Sequence, residues 1–302
     1  MENSQIRLSL HNTCVTFGRF DAMHLGHREV VAALAAQKAP GQTGVVACIG
    51  EPSLITPEMR QQLATEWGAD LVVPLPADVD RLSPQDFIRK VLVEQLGAGS
   101  LVAGENCCVG TAHGGALLRS VALQYDLEAH ICFTKTVNGM PVSSEAVSRA
   151  LKSGDPAGAA ALLGRPYAIP GVVIHGKALG RTVGMPTANL SVPAFLQLPA
   201  AGVYATHVWW RNQRYQGLTN IGTRPSVDTS SQITIETLIL DFDHILYGQE
   251  LVVEPVSFLR PVQKFPNLAQ VQAQVQKDIL KARGLLSCYP FAPQSKTENT
   301  SN

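Results

Sequence analysis

The residues from His175 to Asn189, His-Gly-Lys-Ala-Leu-Gly-Arg-Thr-Val-Gly-Met-Pro-Thr-Ala-Asn, carry the clearest chemical signal in the chain. Gly176, Gly180 and Gly184 surround Lys177 and Arg181. Closely spaced glycines let backbone N–H groups approach an anion, because no Cβ stands in the way. Thr187 and Asn189 offer a hydroxyl and an amide oxygen, hard ligands of the kind Mg2+ accepts alongside waters and phosphates. The pattern points to handling of a nucleotide phosphate with a metal ion. A glycine-rich stretch alone is equally the mark of a plain loop, and it is the basic pair and the Thr/Asn pair that set this one apart.

A second constellation, Gly18-Arg-Phe-Asp-Ala-Met-His-Leu-Gly-His27, follows the first apolar run and opens the first helical pattern. In a parallel α/β sheet that is where phosphates bind, at strand carboxyl ends facing a helix N-terminus. His24 and His27, spaced around Gly26, can lie on one side of the first turn. There they can donate hydrogen bonds to a triphosphate and offset charge building on a departing pyrophosphate. A metal pair, or two surface histidines, is the alternative. Further along, Glu236 is a lone carboxylate in Ile233–Leu240, a stretch otherwise apolar or small. At a barrel mouth it is a candidate acid/base; pointing outward it is an ordinary solvated strand residue.

The elements that must position these groups change character along the chain. Thr13–Phe17, Gly44–Ile49, Leu71–Leu75, Ser100–Ala103 and Ala129–Phe133 read as buried strands. They alternate with helical patterns at Leu25–Gln37, Pro57–Trp67, Pro84–Leu96 and Gly114–Tyr125. Repeated βα units with near-continuous apolar strands predict a parallel sheet covered by helices on both faces. Ser144 is expected to cap a helix ending near Gly154, and Asp155 with Pro156 to start a short one ending at Gly164. After Pro170 short strands take over: Gly171–His175, Val203–Arg211, Arg214–Thr219, Ile233–Leu240 and Leu251–Phe258, with Asn212-Gln213 as a hairpin tip. Together they predict a compact antiparallel barrel. A last helix, Leu268 to Arg283, is expected between an Asn267 cap and a Gly284 stop. Its face Leu268, Val271, Val275, Ile279 would cover the barrel. The expected domains are 1–154 and 170–286, joined by a linker at 155–169 and followed by a disordered tail at 287–302.

Composition bounds the function without naming it. At 302 residues two domains are expected, and 45% hydrophobic with 16% charged residues is ordinary globular usage. Lys+Arg and Asp+Glu balance at 24 each, which gives no argument for a nucleic-acid or membrane-surface partner. The six cysteines are scattered without C-x-x-C spacing, and adjacent Cys107 and Cys108 are poorly placed for a mutual disulfide. With no signal-peptide pattern and no run long enough to span a bilayer, a soluble cytoplasmic protein with free thiols is expected. The oligomeric state is left open.

The strand–G-x-F-D–x-x-H-x-G-H–helix pattern resembles the nucleotidylyltransferase superfamily. With the second half, residues 13 to 283 resemble the bacterial bifunctional riboflavin kinase/FAD synthetase family. The matching segments fall in the family's order: His175-Gly, Gly180-Arg181, Gly184, Pro186-Thr-Ala-Asn189, Gly202-Val-Tyr-Ala205, Asn220-Ile-Gly-Thr-Arg-Pro225, Glu236, Leu240-Asp-Phe242, Leu246-Tyr-Gly248 and Arg260 with Lys264-Phe265. The implied fold is a Rossmann-like nucleotidylyltransferase domain followed by a small antiparallel β-barrel riboflavin kinase domain with a C-terminal helix. The implied chemistry is transfer of the ATP γ-phosphoryl to riboflavin. Thr187 and Asn189 would hold Mg2+ and ATP phosphates. Gly176, Lys177, Gly180 and Arg181 would lie over the nucleotide, and Glu236 would act as base. In the first half, Gly18, Phe20, Asp21, His24, Gly26, His27, Ser143 and Ser144 would bind the second ATP that adenylylates FMN to FAD.

The second half departs from the family only at Ser226, where Thr is usual. The first half departs more. Ala22 replaces a glycine, and Gly50-Glu-Pro-Ser53 stands where Pro-His-Pro is usual. The stretch from Ser53 to Pro57 is shortened, and Cys107-Cys108 replaces an aromatic pair before Gly110. The family's Ser-Ser-Thr-x-x-Arg reads Ser143-Ser-Glu-Ala-Val-Ser148, which removes a phosphate-binding fork and adds Glu145. An active kinase with weak or lost adenylyl transfer is therefore expected. The alternatives are a fully bifunctional enzyme, with Lys135, Arg149 or Arg60 compensating, and a flavin- or nucleotide-sensing protein without turnover.

Overall fold

The computed structural model describes residues 10–176, 185–224 and 232–289 and divides the chain into two units after Ser144. The first unit follows from its apolar strands. β1 (Thr13–Gly18), α1 (Leu25–Gln37), β2 (Thr43–Ile49), α2 (Pro57–Glu66) and β3 (Leu71–Leu75) form successive βα units. Then come a helix opening as α3 (Pro84–Asp86) and continuing as a π-helix over Phe87–Gln95, then β4 (Ala98–Gly104), the ribbon β5 (Cys108–Val109) and β6 (Ala112–His113), α4 (Gly115–Ala122) and β7 (Glu128–Cys132). A second ribbon, β8 (Thr136–Val137) and β9 (Met140–Pro141), ends the unit. The five long strands pair in parallel in the order β3-β2-β1-β4-β7.

Because parallel strands are covered on both faces, one core forms on each side of the sheet. Val15, Phe17, Leu101, Phe87, Val91 and Leu118 belong to one, and Cys14, Val46, Val102, Val31, Leu34 and Ile55 to the other. Gly97, which turns the chain into β4, has φ +61° and lies against Leu10, where an added Cβ would overlap the Leu10 carbonyl. A Gly97→Ala variant is expected to lose roughly 2 kcal/mol or more of this unit's stability, read as a lower urea midpoint.

The second unit opens within α5 (Ser144–Lys152), followed by α6 (Pro156–Leu163), which falls in the stretch expected as a linker. Ser144 is the first helical residue of α5 and not its cap. Asp155 caps α6 by accepting from the Gly158 N–H at 2.8 Å, and Gly164 ends it at φ 71°. The barrel strands are β10 (Ile169–Ile174), β11 (Ala188–Ser191), β12 (Gly202–Trp210), β13 (Gln213–Arg224), β14 (Gln232–Ile239) and β15 (Glu250–Arg260), followed by α7 (Leu268–Ser287). They close in the order β10-β11-β14-β13-β12-β15, with every pairing antiparallel. β11 has no counterpart in the sequence reading, because a four-residue strand behind a glycine-rich run gives too short an alternation. The hairpin tip is Arg211-Asn212, both at positive φ with Trp210 opposite Gln213, one residue before the expected tip.

Two faces of the barrel wall are distinguishable. Inside, Thr206, Thr219 and Thr237 join hydroxyls at 3.1 and 3.0 Å, beside buried Ile221 and Ile235. Outside, Ala205, Leu218 and Val256, with Leu238 beside them, pack under Ala282 and Leu286 of α7. The helix runs past Gly284 to Ser287, so the expected stop does not hold. Its buried residues are Asp278, Ala282 and Leu286 in place of the expected Leu268, which is 56% exposed. Residues 290–302 lie outside the described residues. No described helix is long and apolar enough to cross a membrane.

The α7 contact carries a pH dependence. His207 is buried opposite Glu254, with the Tyr289 ring 5.7 Å away. Burial, aided by the nearby Arg214 guanidinium, pulls His207 down to about 4, while a hydrogen bond to the Leu286 backbone opposes this. Burial pushes the Glu254 carboxyl up, with Arg214 and Arg165 opposing. A histidine whose folded pKa lies below its unfolded value leaves full stability above the unfolded pKa and loses it as pH falls. Glu254 acts with the opposite sign, so His207→Phe isolates the first term. Between pH 6.5 and 4 the wild-type barrel is expected to lose about 2 kcal/mol more than His207→Phe in urea titrations.

Candidate active sites

In the first unit the site forms at the carboxyl edge of the sheet, where β1 hands over to α1. His24 caps α1: its Nδ1 accepts the His27 backbone N–H at 3.1 Å, so the neutral ring carries its proton on Nε2. The two imidazoles stack at 3.6 Å and 15°, with Phe20 4.8 Å from His27. At Gly26 a Cβ would sit 3.1 Å from the His24 ring, so a larger residue here would push the stacked ring aside. The loop before the helix is held in an unusual shape. Phe20 and Met23 have φ 45° and 48°, and both side chains are buried in the core beside α1. That burial offsets the cost of the left-handed backbone.

Asp21 fixes the loop from two sides. Its carbonyl accepts from the Leu54 N–H at 3.1 Å, and its carboxylate accepts from the Ser144 hydroxyl at 2.5 Å. The structure thus brings together Gly18, Phe20, Asp21, His24, Gly26 and His27, and adds Ser144 by way of Asp21. Two of the three cations named as compensating, Arg60 and Lys135, are occupied elsewhere. Arg60 is 5% exposed and donates to the carbonyls of Arg19 and Gly50 at 3.4 and 3.2 Å. Lys135 pairs with Glu29 at 2.8 Å. Ser148, on α5, donates to Gln197 Oε1 at 2.7 Å and its carbonyl accepts from Gln197 Nε2 at 3.1 Å. Cys107 packs against the core, and burial beside Cys108 pushes its thiol up to about 11, which keeps it neutral and unreactive.

In the second unit the decisive geometry is a row across the barrel wall. Ile174 on β10 faces Asn189 on β11, Asn189 faces Glu236 on β14, and Glu236 faces Asn220 on β13. Directly opposed residues share a face. Glu236 alternates with inward Ile235 and Thr237 and shares parity with Leu238, so the row lies on the outer face. The sequence reading tied an outward Glu236 to simple solvation; here it is half-buried between two carboxamides. Asn220 belongs to the family-like segment Asn220–Pro225, but nothing in the sequence pairs it with Glu236, because that register is set by strand pairing. Gly176 presses so closely on Asn189 that an added Cβ would overlap its amide. Thr187, two positions before Asn189, is exposed, and His175 stacks on Tyr247 at 3.8 Å and 19°. Lys177, Gly180 and Arg181 lie outside the described residues.

Comparison with known proteins decides the family. A model of FAD synthetases matches residues 6–146, and a model of riboflavin kinases matches residues 163–286. A protein of Escherichia coli strain K12 named bifunctional riboflavin kinase/FMN adenylyltransferase is 34% identical over 89% of this chain and 92% of its own length. The chain belongs to the bifunctional riboflavin kinase/FMN adenylyltransferase family. Family members from Pseudomonas fluorescens and Bacillus subtilis are 33% and 31% identical, over 91% and 87% of this chain and 94% and 89% of theirs. A solved structure titled a macrolide-efflux protein from Streptococcus pneumoniae matches 94% of this chain and 97% of its own, with TM-score 0.83 and 25% identity. The expected Rossmann-like unit and closed barrel with its C-terminal helix are both present.

Proposed function

We propose that the barrel unit transfers the γ-phosphoryl group of ATP to the 5′-hydroxyl of riboflavin, giving FMN. The observation that carries this reading is the row Asn189–Glu236–Asn220 with Gly176 packed on Asn189. A carboxylate flanked by two carboxamides can accept a hydroxyl proton while its neighbours hold the oxygens on either side. Phosphoryl transfer needs chiefly positioning and charge neutralisation, which these groups would supply together with the basic residues Lys177 and Arg181 that follow in the sequence. The donor set of Thr187 hydroxyl and Asn189 carboxamide fits Mg2+ entering with ATP, and Asn189 would present its amide oxygen to it. Bound there, the ion supplies neutralisation of the phosphate oxygens.

A Cβ at position 176 would overlap the Asn189 amide, so a Gly176→Ala variant displaces it. Its kinase kcat/KM is expected to fall about 10- to 100-fold, measured as FMN formed, with the barrel's melting transition kept.

In the first unit, His24 and His27 would meet phosphates of a second ATP, with FMN as acceptor and FAD as product. Retention of the stacked pair and of the Asp21–Ser144 bond favours a residual adenylyl transfer over none. The test is chromatography of flavins after incubating the protein with riboflavin, ATP and Mg2+. FMN must accumulate if the barrel reading holds; no FMN would sink it. A sensing role would predict binding of both ligands without product.

A further inference from the structure

In the first unit Arg60 is a buried cation without a counter-charge. It stands in the first turn of α2, and its Nη1 donates to the carbonyls of Arg19 and Gly50 at 3.4 and 3.2 Å. Neither its Nε nor its Nη2 has a hydrogen-bond partner among the described residues, and no carboxylate there pairs with it. Arg19 and Lys135, which also follow strand carboxyl ends, carry Asp80 at 3.6 Å and Glu29 at 2.8 Å. The two carbonyls fix where Arg60 stands, but they do not neutralise it. A buried charge is costly unless an opposite charge meets it. The free Nε–Nη2 edge of a guanidinium has the fork that takes two oxygens of a phosphate.

The place is the root of the first-unit site. β1 and β2 are neighbours in the sheet, and Arg19 and Gly50 are the first residues beyond them. The loop opened by Arg19 carries Phe20, Asp21 and His24, and the Leu54 N–H of the loop opened by Gly50 joins it at the Asp21 carbonyl. Phe20, Val31 of α1 and Leu63 of α2 share one core, so the two helices lie on the same face of the sheet. Adenylyl transfer brings two anions together there. A phosphate oxygen of FMN attacks the α-phosphorus of ATP, and the bond to the departing pyrophosphate breaks. With the ATP phosphates assigned to His24 and His27, the acceptor phosphate needs a cation of its own.

We propose that Arg60 binds the phosphate group of the acceptor FMN through its Nε–Nη2 edge, while its Nη1 bonds hold it in place. This rests on the adenylyl-transfer reading of the first unit. Being fixed, Arg60 does not also replace the arginine lost at Ser148. The alternative role, a clamp between two loops, would not distinguish one substrate from the other.

The experiment measures KM for FMN and for ATP separately, by FAD formation, in full-length wild type, Arg60→Met, Arg60→Gln and Arg60→Lys. A wild type that makes no FAD removes the adenylyl-transfer reading, and this proposal with it, before any variant is compared. Given wild-type activity, Arg60→Met is expected to raise the FMN KM about 10- to 100-fold with the ATP KM within about threefold. Arg60→Lys, which keeps the charge and loses the fork, is expected to fall between the two. An unchanged FMN KM, an ATP KM that rises alone, or both rising together would overturn the proposal. Should Arg60→Met fail to fold, Arg60→Gln decides by the same criterion.

Discussion

Replacing Glu236 by Gln is expected to lower FMN formation by about 10²- to 10⁴-fold while the barrel stays folded. Gln keeps the shape of the side chain beside Asn189 and Asn220, its neighbours in register on β11 and β13. It removes the charge and the ability to take a proton. Because the side chain is half-buried on the outer wall and not in the barrel core, melting should move by less than about 1 kcal/mol. Rate and stability therefore separate in one variant. Kinase turnover within threefold of wild type would exclude Glu236 as the base, and an unaffected ligand-binding output with no turnover in either protein would favour a sensor.

The second large effect concerns the two activities of one chain. FAD formation from FMN and ATP is expected to run at least about 100-fold slower than FMN formation from riboflavin. The Arg that the family places in its Ser-Ser-Thr-x-x-Arg motif is Ser148 here, and its hydroxyl and carbonyl are both taken by Gln197. Losing one charge-assisted donor from a phosphate site costs about that factor. Arg60 and Lys135 are held by backbone carbonyls and by Glu29 respectively. Steady-state flavin chromatography with each substrate alone measures both rates. Comparable rates would mean that another group neutralises the leaving pyrophosphate and that the lost arginine is dispensable.

Long apolar strands and strongly patterned helices were legible directly: α1 and β3 match the sequence reading residue for residue, and Asp155 and Gly164 bound α6 as expected. Local chemistry was legible for the same reason, since a His that caps a helix and a Gly that lets it do so are neighbours in the chain. What failed was where a distant partner sets the outcome. Gly284 does not stop α7, because Ala282 and Leu286 are buried against Ala205 and Leu218 and carry the helix onward. Buried Asp278 had no local signal at all; its partner is Arg260, 18 positions away.

The sequence by itself determined the alternation that makes a parallel sheet, the strands that make a barrel, and the residue types able to handle phosphates. Those follow from periodicity and side-chain chemistry, which act over a few residues. Only the tertiary structure decided that Asn189, Glu236 and Asn220 lie side by side, because strand register fixes neighbours far apart in the chain. It also decided that they occupy the outer wall, since closing the barrel turns the alternate residues Thr219, Ile235 and Thr237 inward, and that Arg60 and Lys135 of the first unit are already committed.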